Sequence, residues 1–152
     1  MHLLYSMASQ ARPLIRHALQ GLAVCLVLSQ SALAYTLTCD VQGTFPEMDK
    51  ITIEPASVKV DITSIGDHLY IRIDGPKLYN FFVNTLRTPE FEGTDLTSKT
   101  SMWVKRKNLQ TMEESEIKIN REPVNIKAIK DVQRYGKKLK FYVTGPCQLP
   151  PA

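Results

Sequence analysis

Downstream of residue 34 the chain alternates. Tyr35, Leu37, Cys39 and Val41 fall at every second position, as do Val58, Val60 and Ile62, then Leu69, Ile71 and Ile73. That is the period of a strand with one face in a core and the other in water. The same spacing returns in Phe81 and Val83, in Met102 and Val104, and in Ile117 and Ile119. It continues through Val124, Ile126 and Ala128, and through Leu139, Phe141 and Val143. The pattern predicts about eight strands. Helical periodicity is nearly absent; Leu109 to Ser115 leaves room for one helical turn, and Thr88 to Ser101, with Pro89 and Gly93, reads as a long loop.

Residues that reverse a chain sit between the runs: Gly66-Asp67, Asp74-Gly75-Pro76, Glu122-Pro123 and Gly136. Glycine supplies positive φ without a Cβ clash, and proline fixes φ while removing a ladder donor, so both belong at corners. Connections this short do not carry a parallel crossover, and neighbouring strands are therefore expected to be antiparallel. The expected fold is all-β: a single antiparallel meander closed as a small barrel, or folded as a sandwich.

The first 34 residues read differently. Arg12, Arg16 and His17 precede an apolar stretch from about Gly21 to Leu28, followed by Ser29-Gln30-Ser31-Ala32-Leu33-Ala34, with no Asp or Glu. This is the order of a secretory signal peptide, with Ala32 and Ala34 at the two positions that must be small. Cleavage is expected between Ala34 and Tyr35, with a second site after Ser31, and Met7 is an alternative start. A membrane span needs about 20 predominantly apolar residues, and Gln20, Ser29, Gln30 and Ser31 interrupt this run. A lipoprotein is disfavoured because Val24 precedes Cys25 where a smaller residue is needed, and the apolar core continues beyond that cysteine. The expected organisation is a leader over 1–34, one β domain over 35–147 and a flexible tail over 148–152, with no stable membrane span after cleavage.

Export changes what the remaining residues imply. The leader carries two of the 19 basic residues, leaving 17 against 15 acidic ones, a net charge of +2. So small an excess does not favour nucleic acid, which calls for a concentrated basic face. Cys39 and Cys147 survive cleavage, one near each end of the domain. In an oxidising compartment they should pair, and closing a loop of about 100 residues is worth roughly 4 to 5 kcal/mol in the chain-entropy account. The bridge would join the first strand to the last, and bringing those two together favours a barrel.

Candidate chemistry is sparse. His68 is the one histidine after the leader, and zinc sites draw on three or four donors. Gly-x-Ser-x-Gly, Gly-x-Gly-x-x-Gly and Walker patterns are missing. Glu113, Glu114 and Glu116 read as a solvated turn ahead of the strand at Ile117. Lys105-Arg106-Lys107 alternates across a strand and so does not make one basic patch. No metal, cofactor or catalytic group is expected.

One pattern remains. Tyr70, Phe82, Trp103 and Tyr142 each lie on the face of a strand opposite its aliphatic set, in company with Arg72, Lys105 and Lys140. Rings offer large rigid contact area at low entropy cost, so these seven residues form a candidate binding face; a structural cover over the sheet is the plainer use of the same rings.

Tyr-x-x-x-Cys at Tyr35 to Cys39 and Thr-Gly-Pro-Cys at Thr144 to Cys147 resemble the layout of many small exported bacterial β proteins. Among them, the chain is similar to the periplasmic inhibitors of animal-type lysozyme in architecture and cysteine placement, without a specific inhibitory loop. The resemblance implies a bridged antiparallel barrel. Its implied target is strongly basic, and the chain's slight positive excess opposes that partner. The expected function is a non-enzymatic binding, inhibitor or accessory module of the bacterial envelope, periplasmic or secreted, with an unknown protein or an envelope glycan as partner. A structural subunit of an envelope assembly is the second reading and an unrecognised hydrolase the third, since two acids need proximity only in space.

Overall fold

The computed structural model describes residues 33–49 and 51–150, so most of the expected leader, including Cys25, lies outside the described residues. Nine strands follow in order: β1 (Leu33–Phe45), β2 (Ile51–Ile65), β3 (His68–Asp74), β4 (Phe81–Asn84), β5 (Phe91–Asp95), β6 (Ser101–Asn108), β7 (Glu114–Arg121), β8 (Val124–Arg134) and β9 (Lys137–Gln148). A single 3-10 turn, Lys77–Tyr79, links β3 to β4. Among the described residues there is no α-helix.

The hairpins sit where the turn residues predict. Gly66, at φ 58°, joins β2 to β3, and Tyr135-Gly136, at φ 53° and 72°, joins β8 to β9. Two successive positive φ values match the right-handed twist of the strands they connect. Glu122–Pro123 is a cis bond between β7 and β8. Pro55 lies within β2 where the register with β1 shifts, between the pairs Val41–Ala56 and Gly43–Ile53. A proline lacks a ladder donor and is tolerated at such a bulge. The displaced carbonyls find other donors: the Gln42 amide donates to Ile53 O, and the Tyr79 hydroxyl donates to Glu54 O at 2.7 Å.

All nine strands form one sheet in the order β4-β3-β2-β1-β9-β8-β7-β6-β5, rolled into a nearly closed barrel. Every adjacent pair is antiparallel. The two outermost strands, β4 and β5, consequently run in the same direction and cannot complete the ladder as an antiparallel pair. The chain instead turns back after β4. Asn84 Oδ1 accepts the Leu86 N–H at 3.2 Å, and the returning segment meets β5 through Gly93 N–H to Leu86 O and Thr88 N–H to Phe91 O, both 2.8 Å. Gly93 is required there: a Cβ would stand 2.6 Å from the Thr85 carbonyl carbon and 2.7 Å from Leu86 O.

The alternating apolar set fills the barrel. Leu37, Val60, Ile71, Val83, Val104, Ile117, Ile126 and Val143 are all buried. At one end Phe141 is the hub of an aromatic group, with ring centroids 4.9 Å from Phe45, 5.7 Å from Tyr79 and 6.2 Å from Phe81. Gly43 leaves room for that hub, since a Cβ would lie 2.5 Å from the Phe141 ring. Cys39 and Cys147 stand opposite each other on β1 and β9 and form a disulfide across 108 residues of chain. The expected bridge between first and last strands is present.

Three expectations need correction. The nine strands agree with the expected meander of about eight, but β5 lies in the segment Thr88 to Ser101 that reads as a loop; Gly93 leaves it Phe91 as its one inward apolar side chain, so its alternation is invisible. Leu109 to Ser115 holds a turn without a helix, in which Asn108 Oδ1 accepts the Gln110 and Thr111 N–H groups at 2.9 and 3.0 Å. Gln148 pairs with Thr38 and belongs to β9, one residue beyond the expected end of the domain. At the other end, Leu33 and Ala34 pair with Ser64 and Thr63 while their side chains stay exposed, so the expected cleavage point falls at the fringe of β1.

Candidate functional site

The seven residues of the candidate face do point outward, but the barrel divides them. Tyr70 and Arg72 on β3 face Asn84 and Phe82 on β4. Arg72 Nε donates to Asp74 at 2.8 Å, and Arg72, Asp74, Asn80 and Phe82 border an open crevice of about 660 Å³. Trp103 and Lys105 lie on β6, beyond the β4–β5 seam, and Lys140 and Tyr142 lie on β9.

Lys105, Lys140 and Tyr142 are brought together in a groove of about 350 Å³ on the outer face of β5–β9. Register explains the meeting. Lys105 is opposite Glu116, Glu116 opposite Ile129, and Ile129 opposite Tyr142. The groove neutralises its own charges: Lys105 is 3.0 Å from Glu116, and Lys107 is 3.7 Å from Glu114. Glu114 and Glu116 are thus members of β7 facing lysines, a correction to the solvated turn expected for them.

At the edge of this groove lies Asp131, a residue the sequence pattern does not single out. Its side chain is only 5% exposed. It accepts the Glu114 N–H at 2.9 Å and the Lys140 ammonium at 3.1 Å. Burial opposes the charge on Lys140, but the hydrogen bond to Asp131 and its carboxylate charge outweigh it and hold the ammonium above its ordinary pKa.

A different arrangement surrounds Trp103. Lys105 and Lys118 each place an ammonium 4.9 Å from the indole centroid. Lys118 stands directly opposite Lys127 on β8, and like charges so placed repel. Among the described residues neither Lys118 nor Lys127 has a carboxylate within salt-bridge distance. The indole Nε1 is buried and has no acceptor. Lys118 and Lys127 therefore form an uncompensated pair of cations on the outer surface beside the indole face, where an anion's oxygens would offset their repulsion.

Arg106 separates from Lys105 and Lys107, as strand alternation requires. It shares the inward side of β6 with Val104, and Lys130 shares that of β8 with Ala128. In the sequence Arg106 stood out only as the middle of Lys105-Arg106-Lys107, and Lys130 not at all, although each continues an apolar alternation with a charge. Burial pushes Lys130 down to about 8 and also lowers Arg106. Among the described residues no group of three His, Cys, Asp or Glu side chains is placed to hold a metal. Compared with known proteins, the chain matches no family model and no curated protein sequence.

Proposed function

We propose that the chain is an exported, non-enzymatic binding module that captures an anionic glycan of the cell envelope on the outer face of β6–β8. The carrying observation is Lys118 directly opposite Lys127 with no carboxylate within salt-bridge distance of either among the described residues, Lys118 resting on the Trp103 indole. The indole limits the freedom of the Lys105 and Lys118 ammonium groups before any ligand arrives, so less entropy is lost on binding. The disulfide supports an oxidising compartment, in keeping with the leader's composition. Lys140 and Tyr142 border the neighbouring neutral groove and extend the contact; Tyr70, Arg72 and Phe82 belong to the other side of the seam and are not part of this surface.

Binding of polygalacturonate, a carboxylated glycan, against neutral dextran tests the reading. Retention on the acidic polymer should fall at least tenfold in Lys118→Glu/Lys127→Glu and fall with rising salt, while Arg72→Glu retains it. Equal retention of the double variant, or equal binding to dextran, would remove the proposal.

A further inference from the structure

The hairpin between β8 and β9 breaks three local rules at once. A two-residue turn with positive φ at both central positions calls for Asn-Gly or Asp-Gly, and the β2–β3 hairpin at the other end of the barrel places Gly66 first. Here the first central residue is Tyr135, at φ 53°, ahead of Gly136. A bulky side chain in the left-handed region is strained, yet this ring stays 78% exposed beside the Arg134 guanidinium, 5.6 Å away. The turn is closed by Arg134 directly opposite Lys137, and like charges so placed repel. Among the described residues neither has a carboxylate within salt-bridge distance.

The neighbouring turn repeats the anomaly. Met112, between β6 and β7, holds φ 57° while 52% exposed, and Leu109 on the same turn is 43% exposed. The two turns lie side by side: the Lys138 ammonium donates to Thr111 O at 3.3 Å and to Met112 O at 3.1 Å. Strand order puts both at the same end of the barrel. Leu109, Met112 and Tyr135 therefore share one rim with Arg134, Lys137 and Lys138. The acids beside them are fewer: Glu113, and Asp131, which is already held by Lys140 at 3.1 Å and Lys138 at 4.0 Å. Choices this unfavourable to the fold persist where something outside it compensates them.

We infer that this rim docks onto a lipid bilayer bearing anionic headgroups. Leu109, Met112 and Tyr135 enter the boundary between headgroups and acyl chains, and Arg134 and Lys137 lie against the phosphates. Charge complementarity selects this occupant: apolar tips ringed by cations match hydrocarbon beneath negative headgroups, and tyrosine favours that depth. An apolar protein partner would leave Arg134 and Lys137 repelling each other, and a soluble acidic polymer would leave the three apolar side chains in water. The glycan face is separate, since Lys127 stands seven residues before Arg134 on β8, about 23 Å along an extended strand.

The test is co-sedimentation of the disulfide-bonded protein with vesicles of phosphatidylglycerol and phosphatidylcholine, against phosphatidylcholine alone. Binding to the mixed vesicles should be saturable, at least tenfold tighter than to the neutral ones, and weaker at high salt. Met112→Asn/Tyr135→Asn gives both turns a residue suited to positive φ, so its melting temperature should equal or exceed the parent's. Its vesicle binding should nonetheless fall at least tenfold, with polygalacturonate retention unchanged. Arg134→Gln/Lys137→Gln should also lose at least tenfold, whereas Lys118→Gln/Lys127→Gln, matched in charge, should stay within about threefold of the parent. The inference fails if the parent does not bind the mixed vesicles, if the asparagine variant binds them as well as the parent or melts lower, or if the two charge-matched variants bind equally.

Discussion

The barrel has two lines of meeting, and they are built differently. Where β1 meets β9, the first and last strands of the chain lie side by side, share a ladder and are joined by Cys39–Cys147. Where β4 approaches β5, strands close in sequence run the same way, and the gap is closed by two backbone hydrogen bonds, a glycine and the Arg106 side chain. The covalent line secures the most distant parts of the chain, whose closure entropy is largest. The seam closes a short local excursion and can rest on weaker contacts.

Four experiments break or sharpen that contrast. Replacing both cysteines by alanine should lower stability by about 4 to 5 kcal/mol, the largest effect, read as a shift of the urea midpoint with little change in slope. A denaturation curve indistinguishable from the parent's would show that the ladder alone suffices. At the seam, Gly93→Ala forces a Cβ against Thr85 and Leu86 and should cost about 2 to 3 kcal/mol; calorimetry measures it, and a cost below 0.5 kcal/mol contradicts the close approach.

Lys130→Met removes a half-buried charge without an acid partner and should stabilise the protein by about 1 kcal/mol near neutral pH, allowing for partial solvation. The sign of the pH effect follows from the same burial. With Lys130 lowered to about 8 from 10.5, the unfolded chain binds more protons between those two values. Stability attributable to this residue should therefore rise with pH across about 8 to 10.5 and be flat below. Unfolding midpoints of the parent and the methionine variant should converge across that window, and parallel curves would contradict it. The smallest effect requires no substitution: the Gly93 and Thr88 amides should exchange with deuterium before those of Val60 and Val143, because local opening starts where few contacts hold the backbone.

Much of the barrel was legible because its interior obeys strict alternation. Leu37, Cys39 and Val41, or Leu139, Phe141 and Val143, announce both the strand and the side that is buried. The disulfide was legible from the two cysteines, one near each end of the alternating region. β5 was not, because Phe91-Glu92-Gly93-Thr94-Asp95 contributes one inward side chain, and the reason for its glycine lies on a segment the sequence does not show as a neighbour. The candidate face was half legible. Parity identified the outward residues correctly, but which of them meet depends on strand order, and that order sets Tyr70, Arg72 and Phe82 apart from Trp103. Arg106 and Lys130 carried a readable signal: each is a charge at the position where the next apolar residue of an alternating set is due.

An odd count of alternating strands carries a parity defect that no rolling of the sheet removes; somewhere two neighbours must point the same way. This chain places the mismatch between β4 and β5, elements joined by only six residues, so the fault is repaired by a local fold-back and no long crossover is needed. Adding or deleting one strand elsewhere would remove the reason for the fold-back, and with it the gap in which Arg106 lies against Phe82 and Phe91.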